Sequence, residues 1–251
     1  MKAKMYMMQK IVMYCPPIYL TESISSIQRY SYFDKIATRF LISPQFMQDT
    51  PSLLKGLKKQ GYALDNGAYL DFLQEKTFDD QRFIDFCEKY IHGADWVVLP
   101  DVVCNRKETL YKSKMYIDIL RKIKNNVRLF FVWQDGMDKK DLIPFLEQNI
   151  GIFVGGSTEG KIKNIGWISK LAKKYFCWIH VGRVNTLKRL NIIMDNEVNS
   201  FDGSGIARFL PTLELLSRRI MQERNQLSLF PTSSNMDMDF INHWIQTGDR
   251  P

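Results

Sequence analysis

Eight short apolar runs, set apart by longer amphipathic stretches, limit most strongly what this chain can fold into. They are Ile11–Tyr14, Arg39–Ile42, Tyr62–Leu64, Trp96–Leu99, Leu129–Trp133, Gly151–Val154, Trp178–Val181 and Asn199–Phe201. Most are rich in Val, Ile, Phe or Trp and too short for helices, as strands of a parallel sheet buried on both faces should be. The stretches between them carry helical periodicity. Asp79–Tyr90 places Phe83, Phe86 and Tyr90 on one face behind an acidic first turn. Lys107–Ile123 repeats the pattern with Leu110, Met115, Ile119, Leu120 and Ile123. Asp138–Gln148, Gly166–Tyr175, Thr186–Met194 and Pro211–Gln222 behave alike, with Asp138, Ser169 and Thr186 as expected cap or early-turn residues. Strands alternating with helices predict parallel pairing through crossovers, and eight such units in about 220 residues favour a closed barrel over an open doubly wound sheet. The expected fold class is therefore α/β: a (β/α)8 TIM-type barrel over residues 1–223, followed by a C-terminal tail over 224–251.

Composition narrows the function classes. Of 251 residues, 45% are apolar and 25% charged, which argues against wholesale disorder. No apolar run approaches the ~20 residues of a membrane helix, and no apolar h-region follows the N-terminal lysines, so no membrane association and a cytoplasmic location are expected. Cys15, Cys87, Cys104 and Cys177 form no C-x-x-C pair, and His92, His180 and His243 no H-x-x-x-H pattern. Neither a metal site of local ligand spacing nor a cofactor is expected. The net charge of +8, from 35 basic and 27 acidic residues, suits a nucleic-acid partner but is spread along the chain.

The residues at the C-terminal end of each apolar run are more telling. Asp65-Asn66-Gly67-Ala68-Tyr69 stands after the third, Pro100-Asp101 after the fourth and Gln134-Asp135-Gly136 after the fifth. Gly155-Gly156-Ser157 stands after the sixth, Gly182-Arg183 after the seventh and Asp202-Gly203-Ser204-Gly205 after the eighth. In a barrel these are the C-terminal strand ends, the face where active sites are built. Asp-Gly and Asp-Asn-Gly are also ordinary turn chemistry, and Gly155-Gly156-Ser157 also fits a phosphate cradle before a helix. His180, inside the seventh run, reads as a hydrogen-bonded core histidine.

Two carboxylates beside a sugar carbon can share the work of base exchange, one attacking C1′ and the other handling a proton. Around them Gln134 offers a donor and an acceptor, Asp101 can accept from base N–H groups, and the Gly155-Gly156 backbone leaves room for a planar ring. Tyr69 could stack on a base, and Arg183 could meet a phosphate.

The ordered series Asp-Asn-Gly-Ala-Tyr (65–69), Leu-Pro-Asp-Val-Val (99–103), Val-Trp-Gln-Asp-Gly (132–136), Val-Gly-Gly-Ser (154–157) and Phe-Asp-Gly-Ser (201–204) resembles the tRNA-guanine transglycosylase superfamily. Its members are (β/α)8 barrels that exchange guanine for a 7-deazaguanine through a covalent Asp intermediate. The resemblance implies Asp202 as nucleophile and Asp65 for acid–base work and positioning. It implies Asp101, Gln134, Gly155 and Gly156 as base-reading groups, with Asn66, Tyr69 and Arg183 beside them. Asn66-Gly67-Ala68-Tyr69 stands where the family usually has Ser-Gly-Gly-Phe, and Gly203 replaces a Cys. The family's C-terminal zinc subdomain has no counterpart. The compact build resembles the deazapurine-in-DNA branch of phages and bacterial DNA-modification systems, in which the modified base masks DNA from restriction nucleases. The implied partners are double-stranded DNA with its target base extruded and a free 7-deazaguanine base; an oligomer is compatible with the resemblance. The alternatives are the same exchange on tRNA, a barrel that binds deazapurine or nucleotide without turnover, and a non-catalytic DNA-binding accessory protein.

Beyond Glu223 the amphipathic period lapses into a linker-like stretch ending Pro-Thr-Ser-Ser-Asn. Within it, Gln226-Leu227-Ser228-Leu229-Phe230 resembles the peptide by which bacterial replication and repair proteins dock on the DNA sliding clamp. Gln226 would anchor by hydrogen bonds while Leu227, Leu229 and Phe230 fill an apolar cleft. A short terminal helix is expected over Met236–Gln246.

Overall fold

The computed structural model describes residues 18–21, 38–45, 61–203 and 218–219. Eight parallel strands close into a barrel in sequence order: β1 (Ile18–Thr21), β2 (Thr38–Ile42), β3 (Tyr62–Leu64), β4 (Val97–Val98), β5 (Leu129–Trp133), β6 (Gly151–Val154), β7 (Ile179–Val181) and β8 (Ser200–Asp202). The ring is sealed by Ile18 and Tyr19 pairing with Phe201 and Asp202. The expected α/β class and (β/α)8 architecture hold.

Seven of the eight expected runs form strands. The first, Ile11–Tyr14, lies outside the described residues, and the described strand that closes the ring is Ile18–Thr21, directly after Pro16-Pro17. Ile18–Thr21 is placed in the ring by its pairing with β2 and β8. Also outside the described residues lie the tail over 224–251, with Gln226, Leu227, Leu229, Phe230 and Met236–Gln246, and all of Pro211–Gln222 except Arg218 and Arg219, which are helical.

The helices are α1 (Ala68–Leu73), α2 (Asp80–Tyr90), α3 (Arg106–Ile123), α4 (Lys139–Leu146), α5 (Thr158–Lys174) and α6 (Leu187–Asp195). Their starts follow side-chain capping. Asp79, Asn105, Asp138, Ser157 and Thr186 each accept from a backbone N–H of the first turn, and Asp138 with Asp141 completes a capping box. Two expectations are corrected. The fifth helix begins at Thr158 rather than Gly166, because the Ser157 cap overrides the poor helical propensity of Gly160 and Gly166. Ser169 is no cap; it lies buried within α5, and its hydroxyl donates to Asn196 O at 2.6 Å. The six-residue α1 is too short to show a period and leaves no helical signature in the sequence.

Strand alternation builds two cores. Leu41, Ala63, Trp96, Val98, Phe130 and Val132 pack together inside the barrel, with Phe153 against them. Leu64, Val97, Leu99, Phe131, Trp133, Ile152, Val154, Ile179, Val181 and Phe201 face outward into the larger core beneath the helices. The two-sided burial explains the nearly unbroken apolar character of the strands. Inside, Trp96 meets Phe130 at 4.7 Å between ring centroids, and the His180 imidazole lies 4.8 Å from both Trp96 and Phe153. This aromatic layer supports the polar groups at the strand ends.

Candidate active site

At the ends of β3, β4 and β5 the chain places a buried polar network. Asp101 Oδ1 accepts from Asn66 Nδ2 at 2.8 Å, and Asp101 Oδ2 from Gln134 Nε2 at 2.6 Å. Asn66 Nδ2 also donates to Leu99 O at 2.8 Å, and its Oδ1 accepts from Ala68 N at 2.8 Å, which orients the amide. Gln134 Nε2 further donates to Val102 O at 3.1 Å. Asp101 is 8% exposed and Gln134 5%. Burial pushes the Asp101 carboxyl up from the usual carboxylate range, while the Asn66 and Gln134 donors oppose the shift. An ionised carboxylate has about four lone-pair sites, and the Asn66, Gln134 and Asp101 backbone donors leave Asp101 room for one more.

Asp202, the last residue of β8, is 4% exposed and doubly held. Its Oδ2 lies 3.0 Å from His180 Nε2, and its Oδ1 accepts from the backbone N–H of Arg183 at 3.1 Å. His180 Nδ1 lies 2.8 Å from Ser200 Oγ. Ser200 and Asp202 share a side of β8 by strand alternation, so both reach the same ring. Burial lowers the His180 pKa, with the Asp202 carboxylate opposing, and the neutral ring is favoured. With Asp202 ionised, one tautomer satisfies every group: Nε2–H donates to Asp202, and Ser200 Oγ–H donates to Nδ1.

Asp65, the residue after β3, stands within electrostatic reach of Asp202 and Asp101. Its pKa is raised to about 7, first by burial and then by the Asp202 and Asp101 charges, against the Asn66 and Gly67 backbone N–H groups. The site thus sets a carboxyl poised to hold a proton at neutrality against a carboxylate held by two N–H donors, a separation of roles between like groups.

The rim is built by Arg183 and the Gly155-Gly156 loop. Arg183 has φ +60°, left-handed for a non-glycine residue, and its guanidinium donates to Gly156 O and lies 4.6 Å from the Tyr69 ring centroid. Tyr69, on α1, is 44% exposed at this rim. Asp135 pins the loop, accepting from Ser157 N at 2.6 Å and Ser157 Oγ at 3.1 Å. A Cβ at Gly160 would collide with Asp135 Oδ1, so a side chain there would displace this clamp. The structure therefore gathers Asp65, Asn66, Tyr69, Asp101, Gln134, Gly155, Gly156, Arg183 and Asp202 at the C-terminal mouth of the barrel.

Three contributors are not legible in the sequence. Ser200 orients the histidine, and Asp135 fixes the glycine loop. Lys161, on α5, is 5% exposed and donates to Gly182 O at 2.5 Å, although nothing in the chain distinguishes it from the solvated Lys163 or Lys170. Lys161, Gly182, Arg183 and Arg189 also line a cavity between α5 and α6. Among the described residues no three His, Cys, Asp or Glu side chains are grouped to hold a metal ion, and no helix is long and apolar enough to cross a membrane.

No protein-family model matches the chain, and no curated protein does. Solved structures do. A ligand complex of KGPDC from Streptococcus mutans superposes with a TM-score of 0.57 at 11% identity, covering 85% of this chain and 99% of that one. A second structure of KGPDC from Streptococcus mutans gives 0.53 at 13% identity over 84% and 98%. At such identity the likeness concerns the fold: this chain is a (β/α)8 barrel, its candidate site at the mouth where such barrels place theirs.

Proposed function

We propose that the protein is a transglycosylase that exchanges guanine in DNA for a 7-deazaguanine, with Asp202 as the nucleophile. The observation that carries the reading is the opposed environment of two electrostatically coupled carboxyls. Asp65 is pushed to about 7 by burial and by the Asp202 and Asp101 charges, while Asp202 receives N–H donors from His180 and Arg183. A neutral acid beside an anchored carboxylate suits double displacement at a sugar carbon.

An Asp202 oxygen attacks C1′ of a deoxyguanosine. The C1′–N9 bond breaks, and guanine leaves with the proton from Asp65. The Asp65 carboxylate then takes the proton from the incoming deazapurine, whose ring nitrogen attacks C1′ and displaces Asp202. The old base leaves and the new one enters on the same face of the sugar, so the anomeric configuration is retained. Asp101, with its spare acceptor site, and Gln134 would read the base edge, and the Gly155-Gly156 backbone and Tyr69 would flank its plane. In a duplex the target base must be extruded, at a cost of a few kcal/mol. Arg183 at the rim suits a phosphate near the extruded nucleotide. The protein would act on DNA in the cytoplasm of a bacterium or an infected host cell, where the product resists restriction. The Gln226–Phe230 peptide would tether it to the sliding clamp; loss of clamp binding in Leu229→Ala and Phe230→Ala tests that part.

Incubation with labelled guanine and either duplex DNA or bulk tRNA tests the main reading. Label is expected in DNA, with a denaturant-stable protein–DNA adduct, and both are expected to vanish in Asp202→Asn. Full activity in that variant overturns the nucleophile, and label in tRNA alone redirects the substrate. Ligand-induced thermal stabilisation without incorporation would instead indicate a binding protein.

A further inference from the structure

We infer that Lys161 is a positioning residue that controls the aim of Asp202 through the peptide joining Gly182 to Arg183. The inference rests on the reading of Asp202 as the reacting carboxylate. Two hydrogen bonds carry it, and they end on one amide. Lys161 Nζ donates to Gly182 O at 2.5 Å, and the Arg183 N–H donates to Asp202 Oδ1 at 3.1 Å. That C=O and that N–H are opposite ends of a single planar trans unit, so one faces the lysine while the other faces the carboxylate. A cation at the oxygen draws electron density along the amide and strengthens its N–H as a donor.

The surroundings hold this peptide in place. Val184 N donates to Asp202 O at 2.6 Å, and Arg189 on α6 donates to Arg183 O at 3.1 Å. Gly182 admits no side chain freely: a Cβ there would stand 3.0 Å from the Phe153 ring and 3.3 Å from Asp202 Oδ2. The left-handed φ of Arg183 is a strained conformation of the kind that clusters at functional sites. A buried lysine is a costly way to fill space, and aliphatic side chains already line the neighbouring cavity, Ile162, Ile165, Ile192 and Ile193 among them.

Lys161 faces charges from every side. Arg183 stands after β7 and Asp202 ends β8. Arg189 lies on α6, Asp135 follows β5, and the neutral His180 lies on β7. Burial, then Arg183, brings its ammonium down to about 7, while Asp202 opposes. The amide is therefore polarised by a cation below neutrality and by a neutral amine above it.

The test follows the full-length protein by NMR, without substrate. In the wild type, the Arg183 amide resonance should move with the midpoint at which the Lys161 side chain titrates. In Lys161→Met and Lys161→Gln that step should disappear, and the Asp202 carboxyl-carbon resonance should differ from the wild type at acidic pH. An Arg183 amide indifferent to Lys161 in the wild type overturns the inference, as does an Asp202 carboxyl resonance unchanged in the variants. The wild-type arm needs no substituted protein to fold. If base exchange is absent while these resonances behave as expected, the transglycosylase reading falls and the coupling of Lys161 to Asp202 stands.

Discussion

Asp202 Oδ2 and His180 Nε2 lie 3.0 Å apart with both side chains buried, so the carboxylate at the end of β8 is held by a ring rooted in the interior of the barrel. The ring is itself fixed by Ser200 and by the Trp96 and Phe153 faces. His180→Phe keeps a ring in the layer and removes the donor. Adduct formation should fall about 100-fold, the usual scale for losing one preorganised donor, with circular dichroism unchanged. A loss below about threefold would mean that Asp202 needs no support from that side.

Asp65 predicts a pH signature with a definite sign. Its folded pKa of about 7 lies above the ordinary carboxylate value, so the fold favours the protonated form. The associated stability is complete below the ordinary range and is lost as pH rises through about 7. Asp65→Asn removes that loss. Thermal unfolding should show the variant gaining on the wild type between pH 4 and pH 8, while base exchange is abolished. A stability difference independent of pH would contradict the raised value.

Gln134→Glu places a second carboxylate where an amide now donates to Asp101 at 2.6 Å. Like charges at that separation cannot both ionise comfortably, so one pKa must rise. The variant should be less stable than the wild type at pH 8 and recover as pH falls toward 5. A melting temperature that tracks the wild type across that range would show that the pair is not in contact.

Trp96 is fully buried within the barrel and touches Phe130, Phe153 and His180. Trp96→Ala should cost roughly 3–5 kcal/mol in denaturant unfolding, the range for removing a large core aromatic. Because the cavity would open under His180, the catalytic loss should exceed that of a peripheral core substitution such as Phe145→Ala. Equal losses would show that the aromatic layer does not support the site.

Local pattern determined much of this protein. Apolar runs of three to five residues, too short for helices, with capped amphipathic segments between them, specify β2 to β8 and most helices, because burial of a strand on both faces leaves a mark on its own residues. The polar strand ends were legible for the same reason: Asp65, Asp101, Gln134 and Asp202 interrupt apolar runs at one end only, and closure in sequence order brings that end to one mouth. Pairing decided the rest. Ile18–Thr21 became the first strand through its partners in β2 and β8, and a tetrapeptide cannot encode partners. Lys161 looks like any lysine on a charged helix; its burial and its bond to Gly182 O exist only because α5 packs against the end of β7. The value near 7 at Asp65 likewise belongs to no single residue, since it requires residues far apart in the chain to place their charges around one excluded volume.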